Sequence, residues 1–191
     1  MNFEKLPFDA LVAALASEAP TPGGGTAAAL AGAMGASLAE MVAALTVGKD
    51  KYAASHAAVR PIGEAAVRAR GRLLALAQED SDSYDAVVAA RRLPKESDEQ
   101  REERSRRMAQ ANRLAAEVPM RTAQEAAALL TEMPELAEKG NPNAVSDALR
   151  PFDVEFDRTP IKPQLIEQAR WDRAVGAAET VYAALGALER A

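Results

Sequence analysis

The chain has 191 residues and a formal net charge of −5, from 23 Lys and Arg against 28 Asp and Glu. Its 48% hydrophobic content supports one sizeable core, while a 4% aromatic share with Ala as the commonest residue disfavours an all-β fold. Mild acidity argues against a general nucleic-acid binder, the absence of Cys removes disulfides, thiolate metal sites and a cysteine nucleophile, and a single His, His56, removes a poly-histidine metal site.

The opening MNFEKLPFDA lacks the basic-then-apolar pattern of a signal peptide, so a cytoplasmic protein is expected. Phe8, Leu11, Val12 and Leu15 recur at helical spacing and predict a helix over 7–17. The string EAPTPGGGT reads as a loop. Thr26 is placed to cap a long helix reaching Val47. Within it Ala28, Gly32 and Ala36 lie four apart and predict close approach of a neighbouring helix. The run from Ala19 to Ala39 is uncharged, but it holds Pro20, Pro22 and three consecutive glycines and is rich in Ala rather than Leu. It therefore reads as a buried helix and not a membrane span.

The segment VGKDKYA breaks that helix, and the next is expected over 62–91 with Leu73, Leu74, Leu76 and Ala77 inward. Ser97 and Gln100 have the spacing of a capping box and open a fourth helix to Leu130, which Pro119 should kink. Its mixed-charge start, DEQREERSRR, reads as a solvated face. Beyond Met133 the prolines predict irregular chain, a turn over 145–149 and a last helix over 164–188. The sum is an all-α, single-domain bundle of five or six helices over 1–191, with the Gly-rich loop between the first two.

Four segments carry candidate chemistry. Pro22, Gly23, Gly24, Gly25 and Thr26 precede a helix N-terminus, whose free N–H groups attract anions. This is not a P-loop, because Ala27 follows Thr26. The alternative is a tight inter-helix loop, yet two prolines and three glycines exceed what a turn needs, which favours ligand contact. Lys49, Lys51 and Tyr52 suit a clamp on a carboxylate or phosphate, and equally suit cations at a helix C-terminus. Asp80 and Tyr84, four apart, share a helix face, while Asp82 and Asp85 face elsewhere. If buried, the Asp80 carboxylate is a candidate general base or acid; if exposed, it belongs to a polar stripe. Asn141 sits in a Gly140–Pro142 turn, and Ser146 and Asp147 suit a helix cap better than a ligand contact.

Taken together, LASEAPTPGGGTAAALAGAMGASLAEMVAALTVGKDKYA, DSDSYDAVVAARRLPK, AQANRLAAEVPMRTA and GNPNAVSDA resemble the cyclodeaminase/cyclohydrolase family of folate enzymes over residues 5–148. The resemblance implies an all-α homodimer with folate in a groove between helices, no metal, and no cofactor beyond the tetrahydrofolate substrate. From the mild acidity and the proline- and glycine-broken apolar run, no nucleic-acid or membrane partner is expected. The resemblance assigns Asp80 as the catalytic acidic residue. Substrate binding falls to Pro22, Gly23, Gly24, Gly25, Thr26 (where Ser is usual), Lys49, Lys51, Tyr52, Tyr84, Asn141, Ser146 and Asp147. A carboxylate suits the delocalised cation of 5,10-methenyltetrahydrofolate, and lysines suit the anionic glutamate tail.

The chain departs from the family after Ala148, where Pro151, Pro160 and Pro163 forbid the expected Ala-rich helix, so the tail from about 149 is divergent. With no formiminotransferase segment attached, methenyltetrahydrofolate cyclohydrolase is the expected activity. Formimidoyltetrahydrofolate cyclodeaminase is the alternative. A non-catalytic folate-binding helical dimer, or a purely structural module, are the readings outside enzymology.

Overall fold

The computed structural model describes residues 3–145. Among them the chain forms four α-helices and two 3-10 turns, with no strand: α1 (Phe8–Leu15), α2 (Gly24–Val47), α3 (His56–Arg91) and α4 (Asp98–Lys139), with the turns at Phe3–Lys5 and Asp50–Ser55. The all-α expectation holds for these residues. The predicted helix over 164–188, the divergent tail, and Ser146 and Asp147 lie outside the described residues.

α1 spans Phe8–Leu15 rather than 7–17, and three further helix boundaries differ from the sequence reading. α2 begins at Gly24, so Gly24 and Gly25 are its first residues and not loop, and Thr26 is its third residue and not its cap. α3 begins at His56 and runs through Pro61, directly after the 3-10 turn, rather than starting at residue 62. α4 continues past Leu130 and through Pro134 to Lys139. A helical proline forfeits one backbone hydrogen bond to the preceding turn, a cost that flanking buried side chains offset. Around Pro134, Leu129, Met133 and Leu136 are all buried.

The helices divide between two compact units, the first comprising the residues up to Ala31 with Arg72–Ala123, the second Gly32–Gly71 with the residues from Gln124 on. In the first unit Ala29, Leu76, Ala77 and Val118 form a buried cluster, with Phe3 and Leu30 against it. A second cluster joins Val87, Ala90 and Ala111, flanked by Met108 and Ala115. Leu74, expected inward, is 44% exposed; the buried positions are Leu73, Leu76 and Ala77. In the second unit Ala33, Ala36, Ala39, Val42 and Ala43 of α2 are buried, as are Val59, Ile62, Ala66 and Ala69 of α3.

Of the α2 residues read in the sequence as a close-packing face, Ala36 is fully buried and Gly32 half-buried, and the buried stripe departs from that face toward the N-terminus. It passes through Thr26, Ala29, Ala33, Ala36, Ala39, Ala43 and Thr46, while Ala28 is exposed. That spacing follows the helical period, and each end of the stripe carries a buried hydroxyl. Among the described helices α2 is long and apolar enough to cross a membrane by length and composition, with 39% of its most apolar stretch buried.

The start of α4 follows the sequence reading closely. Ser97 N–H donates to Gln100 Oε1 at 3.3 Å and Gln100 N–H donates to Ser97 Oγ at 3.3 Å, a reciprocal capping box. Ser97→Ala is expected to cost about 1 kcal/mol, read as a lowered midpoint in chemical denaturation. The charged turns beyond are a solvated face: Glu103 pairs with Arg106 and Arg107, and these partners hold its carboxyl below the usual range. Exposed pairs of this kind add little stability.

Candidate functional site

In the first unit, the residues that precede α2 come to lie on the last half of α3. Thr26 is completely buried. A buried hydroxyl needs a partner, and Thr26 Oγ1 donates to Asp80 Oδ2 at 2.9 Å, across 54 residues of sequence. Gly25 is the neighbour that makes room for this carboxylate. A Cβ at Gly25 would sit 2.7 Å from Asp80 Cγ and 2.8 Å from Oδ2, and closer still to Oδ1. Absence of a side chain at residue 25 and a hydroxyl at residue 26 together set where the Asp80 carboxylate stands.

That carboxylate opens onto a cavity of about 400 Å³ within the same unit. Its walls are Pro20, Thr21 and Gly23 from the segment leading into α2, Gly24 and Gly25 from the first turn of α2, Asp80, Ser83 and Tyr84 from α3, and Ala115 and Pro119 from α4. Tyr84 is the aromatic side chain in this wall and is 39% exposed, leaving its ring available for stacking. Ser83 is buried, and its hydroxyl donates to the Asp80 carbonyl at 2.8 Å, so it braces the helix and does not compete for the carboxylate. Pro22 is buried and does not line the cavity.

The second unit gathers a different set. The GKDKY segment folds into a 3-10 turn just past α2, and Tyr52 OH donates to Asn141 Oδ1 at 3.0 Å. Asn141 is buried, its N–H donates to Thr46 Oγ1 at 2.8 Å, and the Thr46 hydroxyl donates to the Val42 carbonyl at 2.7 Å. Gly140 must be glycine here, because a Cβ would overlap the Leu136 carbonyl and lie 3.1 Å from Val42 Cγ1. Lys49 and Lys51 are both exposed, and Lys51 Nζ lies 4.6 Å from the centre of the Tyr52 ring, a cation–π contact. Tyr52→Phe removes one of the two hydrogen bonds to the Asn141 amide oxygen and leaves the one from Asn143 N–H at 3.2 Å. A loss of about 1 kcal/mol is expected in denaturant titration.

Thus the sequence-selected residues fall into two groups, Gly23, Gly24, Gly25, Thr26, Asp80 and Tyr84 in the first unit and Lys49, Lys51, Tyr52 and Asn141 in the second. Thr21, Asp85 and Thr46 were missed. The one signal for Thr46 was its place on the buried stripe of α2, where a hydroxyl demands a partner. Asp85 was read as facing elsewhere, yet it accepts from Thr21 Oγ1 at 2.8 Å. Among the described residues no three His, Asp or Glu side chains are gathered where they could share a metal ion.

A helical fold in which a glycine-flanked carboxylate opens on a small cavity defines a class, and comparison with known proteins gives it a family. The family model described as formiminotransferase-cyclodeaminase matches residues 7–150, and the chain belongs to that family. It is 41% identical over 134 residues to a protein of Methylorubrum extorquens named methenyltetrahydrofolate cyclohydrolase, covering 70% of this chain and 64% of that one. It is 31% identical over 138 residues to the formimidoyltransferase-cyclodeaminase of Rattus norvegicus, covering 72% of this chain and 26% of that one. The chain therefore spans less than two thirds of the length of these relatives. Among solved structures it is similar to a formiminotetrahydrofolate cyclodeaminase of Thermotoga maritima, with a TM-score of 0.67 and 31% identity over 97% of this chain and 80% of that one.

Proposed function

We propose that this chain hydrolyses 5,10-methenyltetrahydrofolate to 10-formyltetrahydrofolate, with Asp80 as the catalytic residue. The observation that carries the reading is the Asp80 carboxylate, seated between Gly25 and Thr26 and facing a cavity of about 400 Å³. The methenyl bridge is a cation spread over N5, carbon and N10, and an adjacent carboxylate stabilises it. Water adds at the bridging carbon as Asp80 takes its proton. The acid so formed returns that proton to N5 as the carbon–N5 bond breaks. The hydroxyl of the adduct becomes the formyl oxygen and releases its proton to solvent, the one proton produced overall. No covalent nucleophile and no cofactor beyond the folate itself enter this scheme.

Tyr84 is proposed to stack on the flat pyrimidine ring of the reduced pterin, with the Gly23–Gly25 wall held close by its lack of side chains. The Lys49, Lys51, Tyr52 and Asn141 group is a separate candidate, whose cations suit a carboxylate such as the glutamate end of folate. We further propose a cytoplasmic homodimer that binds neither nucleic acid nor membrane. Met34, Leu45 and Val67 in the second unit are exposed and would suit a second copy.

The cyclodeaminase reaction is the second reading, favoured by the likeness to the Thermotoga maritima enzyme. Here N10 attacks the formimino carbon and ammonia leaves, with the same carboxylate moving the proton. Two parallel assays on the full chain separate the readings. One follows 10-formyltetrahydrofolate from the methenyl substrate, the other ammonia from 5-formimidoyltetrahydrofolate. Formyl product at a rate above buffer, with no ammonia, is the expected result. Ammonia release as the faster reaction would transfer the assignment to cyclodeaminase, and no product in either assay would leave a non-catalytic binder.

A further inference from the structure

We propose that Asp85 is a positioning residue for this reaction, holding the cavity wall in place through Thr21. The inference rests on the reading of the cavity as the substrate site. Two threonines five residues apart meet two aspartates five residues apart in reverse order: Thr21 Oγ1 donates to Asp85 Oδ1 at 2.8 Å, and Thr26 Oγ1 to Asp80 Oδ2 at 2.9 Å. The segment from Thr21 to Thr26 is thereby tied at both ends to one stretch of α3. Between the ties run Gly23, Gly24 and Gly25, which form cavity wall.

The two ties differ in setting. Thr26 is completely buried, so the inner tie is protected by packing. Asp85 is exposed and Thr21 half-buried, so the outer tie holds by its charge-assisted hydrogen bond. Gly24 and Gly25 are held in the first turn of α2, and the Gly23 carbonyl accepts the Ala27 N–H at 3.0 Å, so the stretch of wall that depends on the outer tie is the one ahead of the helix, residues 20–23. Loss of the outer tie frees the part of the wall ahead of α2, while the inner tie keeps the Asp80 carboxylate seated. Substrate must then order the wall as it binds, and that cost falls on KM rather than on kcat. Asp85 touches no reacting atom in this scheme; it acts through Thr21.

The test uses the full chain with Thr21→Val, Asp85→Ala, the double variant and Thr21→Ser. Steady-state kinetics are combined with hydrogen–deuterium exchange of the peptide covering 19–27. The first three variants are each expected to raise KM about fivefold, with kcat within about twofold of wild type. The double variant should be no worse than either single, Thr21→Ser should restore the wild-type KM, and exchange should quicken only where the tie is cut. Unchanged KM and exchange overturn the proposal. So do multiplicative losses in the double variant, or a fall in kcat at constant KM. If the wild-type chain turns over neither tetrahydrofolate substrate, the proposed reaction fails and Asp85 has no role in it, while the exchange data still report whether the tie itself orders the wall.

Discussion

Asp80→Asn is expected to lower the turnover of 5,10-methenyltetrahydrofolate by about a hundred- to ten-thousandfold, the range for removing a general base. The substitution isolates chemistry from structure. Asparagine has the size of aspartate, and its amide oxygen can still accept the Thr26 hydroxyl, so the 2.9 Å contact that seats the side chain is retained. What is lost is the ability to take a proton from water and the negative charge beside the methenyl cation. The measured quantities are kcat for the hydrolysis and the thermal midpoint. A large fall in kcat with an unchanged midpoint is the expected pair. A kcat within about threefold of wild type would remove Asp80 from the reaction.

Gly25→Ala is expected to cost about a hundredfold in kcat/KM with a smaller effect on stability. The added Cβ would fall 2.7 Å from Asp80 Cγ, a distance no real side chain tolerates. The helix itself accepts alanine at this position more readily than glycine. The carboxylate must therefore yield: it swings away from residue 25 and leaves the Thr26 hydroxyl. Misplacement of a reacting group by about 1 Å is enough for a loss of this size. The variant is checked by kinetics beside circular dichroism. A folded, helical, nearly inactive protein is the expected result, and a folded protein of wild-type activity would mean that the carboxylate position is not critical.

Helix identity was legible in the sequence, and partners across the fold were not. Apolar spacing marks α1 and α3, the uncharged Ala-rich run marks α2, and the Ser97–Gln100 capping box marks the start of α4 to the residue. Ends were less legible where proline or glycine dominates. Pro61 and Pro134 each read as a boundary, but buried side chains on both sides carry the helix through them. Gly24 and Gly25 read as loop, because propensity alone does not reveal that α2 begins there to bring Gly25 against Asp80.

The site shows the same division. Asp80 stands out because a carboxylate in an apolar helix is unusual, and the glycine run stands out by composition. That the two touch depends on a contact spanning 54 residues, which no local pattern encodes. Thr26 was read as a helix cap, the commonest use of threonine before a helix, whereas its hydroxyl serves the carboxylate. Thr46 repeats the pattern at the other end of the same buried stripe, serving Asn141. In both cases the legible fact is a buried hydroxyl that requires a partner; which partner is a property of the fold.

The most direct test of the central claim follows the near-ultraviolet absorbance of 5,10-methenyltetrahydrofolate near neutral pH, with wild-type chain, with Asp80→Asn and with buffer alone. The account predicts faster loss of absorbance with the wild-type chain, and loss at close to the buffer rate with Asp80→Asn. Equal acceleration by both proteins would contradict it, because the cavity would then work without the carboxylate that Gly25 and Thr26 hold in place.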